Sequence, residues 1–246
     1  MIQASDLHKS FGRNAVLKGV SFEVARGESL VVIGGSGTGK SVLLKCLLGL
    51  ERADQGTVRI AGLENPAPQD LAAHIGMLFQ GGALFDSLPV WQNITFRLLR
   101  GPARLSKTEA RALATEKLAR VGLGAVVGDL YPAELSGGMQ KRVGLARAIA
   151  GDPPVLFFDE PTAGLDPIMA AVINALIREI VTEMGATAIT ITHDMRTLRD
   201  VADRVAMLYE GRLYWQGSAA QALESDDPVL AQFVQGRTEG PIATLR

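Results

Sequence analysis

Apolar and polar positions change texture along the chain. Near the start, the runs IQASDL, VSFEV and ESLVVIG are short, β-branched or alternating, and set apart by Gly and polar turns, which predicts strands; TVRIAG continues the pattern after the first helix. ESLVVIG passes directly into a glycine-rich turn and then into apolar SVLLKCLLGL, the order strand, loop, helix. Between about Leu84 and Ala150 the spacing becomes helical. LSKTEARALATEKLARVGL opens with Ser106 and Glu109 at capping-box spacing and places Ala110, Leu113, Ala114, Leu118 and Val121 on one face. Beyond it, the unbroken apolar runs of PVLFFDE and TAITITHD predict buried strands on either side of an amphipathic helix in AAVINALIREIVTEMG. RVAMLYEGRLYWQG predicts a hairpin turning at Glu210 and Gly211, and from about Asp226 the chain reads as a polar tail ending in QGRTEGPIATLR. Strands alternating with helices predict an α/β fold with a mostly parallel sheet.

Composition narrows the classes. A chain of 246 residues that is 47% hydrophobic and 21% charged can bury a core and is not disordered by composition. Its 25 Lys and Arg against 26 Asp and Glu leave a net charge of -1, so no global positive field draws nucleic acid, and none is expected as a partner. The single cysteine, Cys46, excludes an intrachain disulfide; its apolar surroundings read as packing, and a reducing compartment fits. The amino terminus has no apolar core of signal-peptide type, and no run approaches the ~18 apolar residues of a spanning helix. The chain is not expected to cross a membrane by itself.

The glycine-rich turn carries the first chemistry. Gly34 to Ser41 reads GGSGTGKS and satisfies the P-loop pattern. Gly35, Gly37 and Gly39 let backbone N–H groups approach phosphate oxygens, and the helix that follows adds its positive amino-terminal end. Lys40 can reach the β- and γ-phosphates, and the Ser41 hydroxyl can ligate Mg²⁺. The nucleotide-binding set is Gly34, Gly35, Ser36, Gly37, Thr38, Gly39, Lys40, Ser41 and Val42. By itself this loop indicates a nucleoside triphosphate and little more.

A second group sits at strand ends. VLFFDE places Asp159 where it can hold Mg²⁺ and Glu160 where it can polarise the attacking water. Taken alone, the pair could simply mark a core strand emerging into solvent. His193 follows TAITIT at the edge where catalytic groups gather in open α/β sheets, and its imidazole could hold the γ-phosphate and position water. His8 and His74 adjoin no phosphate motif and read as structural.

Leu135 to Gln140 reads LSGGMQ and runs into KRVGLARAIA. Ser136, Gly137 and Gly138 form another phosphate-binding turn at a helix amino terminus, which a chain with a complete P-loop does not obviously need. This string resembles the signature of the ABC ATPase superfamily. The resemblance implies that the signature faces the γ-phosphate held by the other subunit, so that a homodimer sandwiches two ATP molecules with Mg²⁺. It implies a RecA-like P-loop NTPase core, with an antiparallel β subdomain at the amino terminus and an inserted helical subdomain that carries the signature. The corresponding boundaries are 1–84 and 151–225 for the core, 85–150 for the helical subdomain and 226–246 for the tail. It also implies an adenine-stacking role for Phe11, which taken alone reads as core, and contact of Gln80 with Mg²⁺ and water. Asp166, in AGLD, would lie in a loop that crosses the dimer interface.

One domain with one P-loop and no coiled-coil insertion resembles a stand-alone ATPase that docks under separate permease subunits. FQGGALFDSLPVWQNI, LSGGMQKRVGLARAI and a tail of the form FVQGRTEGP resemble the ATPase subunits of MCE-type phospholipid transporters of Gram-negative envelopes. That resemblance implies an MCE-domain lipid-binding subunit and a small accessory protein as further partners, and a peripheral position on the cytoplasmic face of the inner membrane. It also implies a tail, Phe233 to Pro241, that reaches the partner ATPase. A nutrient importer ATPase and a soluble non-transport ABC ATPase are the alternatives. Leu84, Phe85, Leu88 and Trp91 fit either a groove for a permease helix or the core of the helical subdomain.

Overall fold

The computed structural model describes residues 1–100 and 104–243. In chain order the elements are β1 (Ile2–Phe11), β2 (Asn14–Val24), β3 (Ser29–Ile33), α1 (Lys40–Leu47), β4 (Gln55–Ile60), β5 (Leu63–Glu64), α2 (Pro68–Leu71) and β6 (Ile75–Leu78). They continue with α3 (Val90–Ile94), α4 (Lys107–Arg120), α5 (Gly137–Ala148), β7 (Val155–Asp159), α6 (Pro167–Met184) and β8 (Thr187–Ile191). The last are α7 (Met195–Val201), β9 (Arg204–Tyr209), β10 (Arg212–Ser218), α8 (Ala219–Leu223) and α9 (Pro228–Gln235). They fall into two compact units, the first formed by Met1–Ala72 and the chain from Thr187, the second by Ala73–Ala186.

The first unit holds an antiparallel sheet of order β2-β1-β4-β5, the antiparallel β subdomain expected at the amino terminus. Its first two strands are longer than their alternation suggests. Ile2 and Ala4 are buried on even positions, but Leu7 and Lys9 are buried on odd ones. The phase changes at Asp6, whose φ of 51° marks a bulge, and β2 changes phase opposite it at Gly19. An extra residue in a strand moves every later side chain to the other face, so only part of a continuous strand shows one alternation.

In the same unit β3 lies between β8 and β9, parallel to both, and β10 returns antiparallel to β9. Leu30, Val31, Val32 and Ile33 are all but fully buried, as the unbroken apolar run requires of a parallel strand. The β9–β10 turn falls at Glu210 and Gly211, both at positive φ (49° and 77°), the geometry of a tight two-residue hairpin. Val31 and Ile33 pack with Val205, Met207, Leu198, Val229 and Leu230. The last two belong to α9, so the segment from Asp226 opens with a core helix, capped by Asp227 and closed by Gly236 at φ 65°. The exposed tail starts only after it.

Cys46 on α1 is buried, and desolvation pushes its thiol up to about 11. The native chain therefore keeps a proton that the unfolded chain loses from about pH 8.5 upward, and stability falls as pH rises from there through 11. Labelling by a thiol reagent at pH 8 is expected to run at least tenfold slower in the native protein than after denaturation. Equal rates would place the thiol at the surface.

In the second unit β6 runs parallel to β7. A Cβ on Gly76 would run into the Ala148 carbonyl, so α5 crosses β6 at backbone contact distance. α4 carries the Ser106–Glu109 capping box; its Ala110, Ala114, Leu118 and the following Val121 are buried, with Leu113 half-buried. Its Lys117 is buried too, with Asp152 Oδ1 2.7 Å from Nζ. α6 buries Ala170, Ile173, Asn174, Ile177, Ile180 and Val181, the stripe of an amphipathic helix ending at Gly185.

Candidate nucleotide site

The loop from Gly34 to Gly39 leaves the end of β3 and enters α1. Gly34 sits at φ 153°, where a Cβ would strike the Leu208 carbonyl, and Gly39 at φ 103°, where one would lie 3.1 Å from the Val16 carbonyl. Thr38 Oγ1 donates to the Gly35 carbonyl at 2.9 Å. Lys40 Nζ lies across the loop and donates to the carbonyls of Gly34 (2.6 Å) and Gly35 (2.8 Å). Helices α4, α5, α6 and α9 are each capped by a side chain, Ser106, Ser136, Asp166 and Asp227. α1 starts instead on Gly39, with no side-chain cap and no acidic residue in its first turn. A helix end left uncapped by side chains and carrying about half a positive charge fits phosphate.

A groove of about 480 Å³ runs beside this loop, lined by Val16, Lys18, Gly35, Thr38, Glu210 and the tail residue Ala243 among others. Phe11 is not among its lining residues. It ends β1 beside the β1–β2 turn, about half exposed, with Lys9 Nζ 5.2 Å from its ring centroid. His193 is exposed and follows β8; Val32 pairs with Ile191, and Thr192 N–H donates to the Val32 carbonyl at 3.1 Å. This pairing brings His193 to the sheet edge where the loop begins. His8 pairs with Asp6 at 3.0 Å on the surface, and the His74 carbonyl accepts from Val155 N–H.

The second unit carries the other expected residues. Leu78 pairs with Phe158 in the β6–β7 register, so Gln80 and Glu160 stand two residues past the same rung. Glu160 has φ 45°, a left-handed backbone that costs a residue with a Cβ about 1–3 kcal/mol and is found at functional sites. Asp159, the last residue of β7, is half-buried. Ser136 Oγ accepts from Met139 N–H at 3.3 Å at the start of α5. Gly137 faces open space, whereas a Cβ on Gly138 would come within 2.7 Å of Met169 Cε. Asp166 is exposed and caps α6, accepting from the N–H groups of Ile168 (2.9 Å) and Met169 (3.0 Å).

Two basic residues of α5 went unread in the sequence. Lys141 is buried and donates to the carbonyls of Gln80 and Glu160, while the half-buried Arg147 donates to those of Gly82 (2.7 Å) and Ala83 (2.8 Å). Burial lowers the pKa of both, and for Lys141 the charges of Asp159 and Glu160 oppose that shift. Basic residues on a helix read as solvated, and nothing in their spacing marks these two as buried. Of the four residues that fit either a docking groove or the core, Phe85 is exposed, Leu84 and Leu88 are half-buried, and Trp91 belongs to the core.

A glycine-rich loop on a parallel strand, leading into a helix start that fits phosphate, gives the first unit the features of a nucleotide-binding domain. The ABC transporter family profile matches residues 17–163. The chain is 42% identical to Protein TRIGALACTOSYLDIACYLGLYCEROL 3, chloroplastic, of Arabidopsis thaliana, over 98% of this chain and 75% of that protein. It is also 42% identical to the probable ribonucleotide transport ATP-binding protein mkl of Mycobacterium tuberculosis, over 98% of this chain and 68% of that one. A methionine import ATP-binding protein MetN of Rhizobium etli is 43% identical over 88% of this chain and 61% of its own length. Among solved structures, the ATP-binding cassette MJ0796, dimeric in a post-hydrolysis state with ADP and Pi, superposes with a TM-score of 0.79 at 29% identity. That match covers 89% of this chain and 99% of the other.

The chain belongs to the ABC transporter family. It is an ATP-binding and ATP-hydrolysing subunit, using ATP with Mg²⁺, that works as a dimer with membrane permease subunits. Among the described residues no helix is long and apolar enough to cross a membrane.

Proposed function

We propose that this ATPase powers phospholipid transport between the membranes of a Gram-negative envelope. In this reading it sits on the cytoplasmic face of the inner membrane, with permease subunits, an MCE-domain lipid-binding subunit and a small accessory protein. The observation that carries it is the 42% identity, over nearly the whole chain, to a relative named for a galactolipid, added to the GALFDS stretch and the tail. The methionine import relatives keep a nutrient importer as the second reading. The test is to purify the complex from membranes and follow ATP-dependent transfer of a fluorescent phospholipid between liposomes. Transfer that stops with Glu160→Gln supports lipid transport; no transfer, with ATPase stimulated by a soluble nutrient and its binding protein, overturns it.

The site roles belong to the same proposal. Residues Gly34 to Val42 hold the phosphates, Phe11 stacks on the adenine, and Ser136, Gly137, Gly138 and Asp166 contact the nucleotide bound by the other subunit. Ser41, Gln80 and Asp159 would hold Mg²⁺, a hydroxyl, an amide and a carboxylate that suit an ion shared with phosphates and water. Bound there, the ion would supply positive charge against the phosphates. Glu160 takes the proton of the attacking water, and His193 holds that water and the γ-phosphate in line.

The tail serves dimerisation in this reading. Phe233 packs against its own subunit's core, and residues 235–241 are exposed. Deletion from Arg237 onward is therefore the clean test. It removes the Ile242 backbone from the Gln232 amide, which donates to the carbonyl at 3.1 Å and accepts from the N–H at 2.7 Å. The loss is about 1–3 kcal/mol of stability, small enough to keep the fold. Weaker ATP-driven dimerisation by light scattering is expected, and an unchanged dimer would sink the clasp.

A further inference from the structure

Lys141 is a buried cation that touches two of the proposed catalytic segments. It lies on α5, five residues beyond Ser136, with its side chain nearly sealed from solvent. Its ammonium donates to the backbone carbonyl of Gln80 and, at 3.4 Å, to that of Glu160. The second carbonyl belongs to a residue in the left-handed region (φ 45°) and also accepts from Ala163 N–H at 3.1 Å. A strained backbone persists only where its surroundings over-determine it.

We infer that Lys141 is a positioning residue for hydrolysis: its ammonium clamps the Gln80 and Glu160 carbonyls together and fixes where those two side chains stand relative to the signature helix. This rests on the roles proposed for Glu160 and Gln80. Both loops follow parallel strands in one register, and hydrogen bonds between β6 and β7 end at Leu78 and Phe158, before either residue is reached. The ammonium continues that ladder past the last strand pair. It also makes α5 the rigid support of both loops, because the helix starts at Ser136. A contact made at the signature can then be felt at the base through one helix and one side chain. The charge matters as well as the bonds, since Asp159 and Glu160 bring two carboxylates to the same strand end and Lys141 is placed to offset them.

The test uses the full-length protein. Lys141→Met keeps the apolar stem and removes the ammonium. Its kcat for ATP is expected to fall at least tenfold with KM within twofold of the parent, and Lys141→Arg, which can donate to both carbonyls, should recover most of the loss. A kcat within twofold of the parent overturns the inference. So does a parallel loss of kcat and ATP affinity that Lys141→Arg leaves unrepaired, since that is the mark of a merely structural lysine. Glu160→Gln is run beside it: normal turnover there removes the proposed base itself, whereas an inactive Glu160→Gln with an active Lys141→Met removes Lys141 alone.

Discussion

Glu160→Gln is expected to bind ATP with near-parental affinity, to form the ATP-bound dimer, and to hydrolyse ATP about 10²- to 10⁴-fold more slowly, the range a positioned general base contributes. The amide has the shape of the carboxyl and can still orient water, but it cannot take a proton. The backbone argument points the same way. Glu160 holds a left-handed conformation and its carbonyl is tied to Lys141 and Ala163, so the substitution leaves the loop where it is. Rates from phosphate release, with dimer formation followed by light scattering, separate the two effects. Turnover within about threefold of the parent would remove Glu160 from the role and leave His193 as the group to test next.

Legibility in the sequence followed the range of the interaction. GGSGTGKS is readable because each residue serves its own loop, and the capping pair Ser106 and Glu109 because a cap is completed within four residues. The Glu210–Gly211 turn and the buried runs of β3, β7 and β8 are local in the same sense. The readings failed where a distant partner decides. The bulge at Asp6 breaks the alternation of β1, so IQASDL shows only the first part of a strand that reaches Phe11, and α9 is a core helix because Val229 and Leu230 meet β3 and β9, almost two hundred positions from β3 in sequence. Lys141 and Arg147 look like any helix surface until the carbonyls they serve, at residues 80 to 83 and 160, are brought beside them. Asp166 is placed by a local fact, its cap on α6, whereas the interface role implied by the family needs a second chain. Trp91 gave no local sign of whether it faced core or partner, and burial decided for the core.

Lys40→Met acts at the other end of the same chemistry and is expected to remove ATP binding while leaving the fold in place. The ammonium now spans the loop, bonded to the Gly34 and Gly35 carbonyls, and those carbonyls keep backbone geometry set by positive φ at Gly34, Gly37 and Gly39 whatever residue 40 is. What is lost is the charge proposed to meet the β- and γ-phosphates. Two charge-assisted contacts at about 1.5–3 kcal/mol each amount to about 3–6 kcal/mol, or about 10²- to 10⁴-fold in affinity. The uncapped start of α1 retains its dipole and its N–H groups, so a weak residual affinity for tripolyphosphate should survive at low salt. The comparison with Glu160→Gln is the informative part. One variant should fail to form the ATP dimer and the other should form it without releasing it, because in the proposed mechanism ATP holds two subunits together only while its phosphates are bound and intact. Titration of a fluorescent ATP analogue measures the first loss directly, and parental affinity in Lys40→Met would move the triphosphate away from this loop.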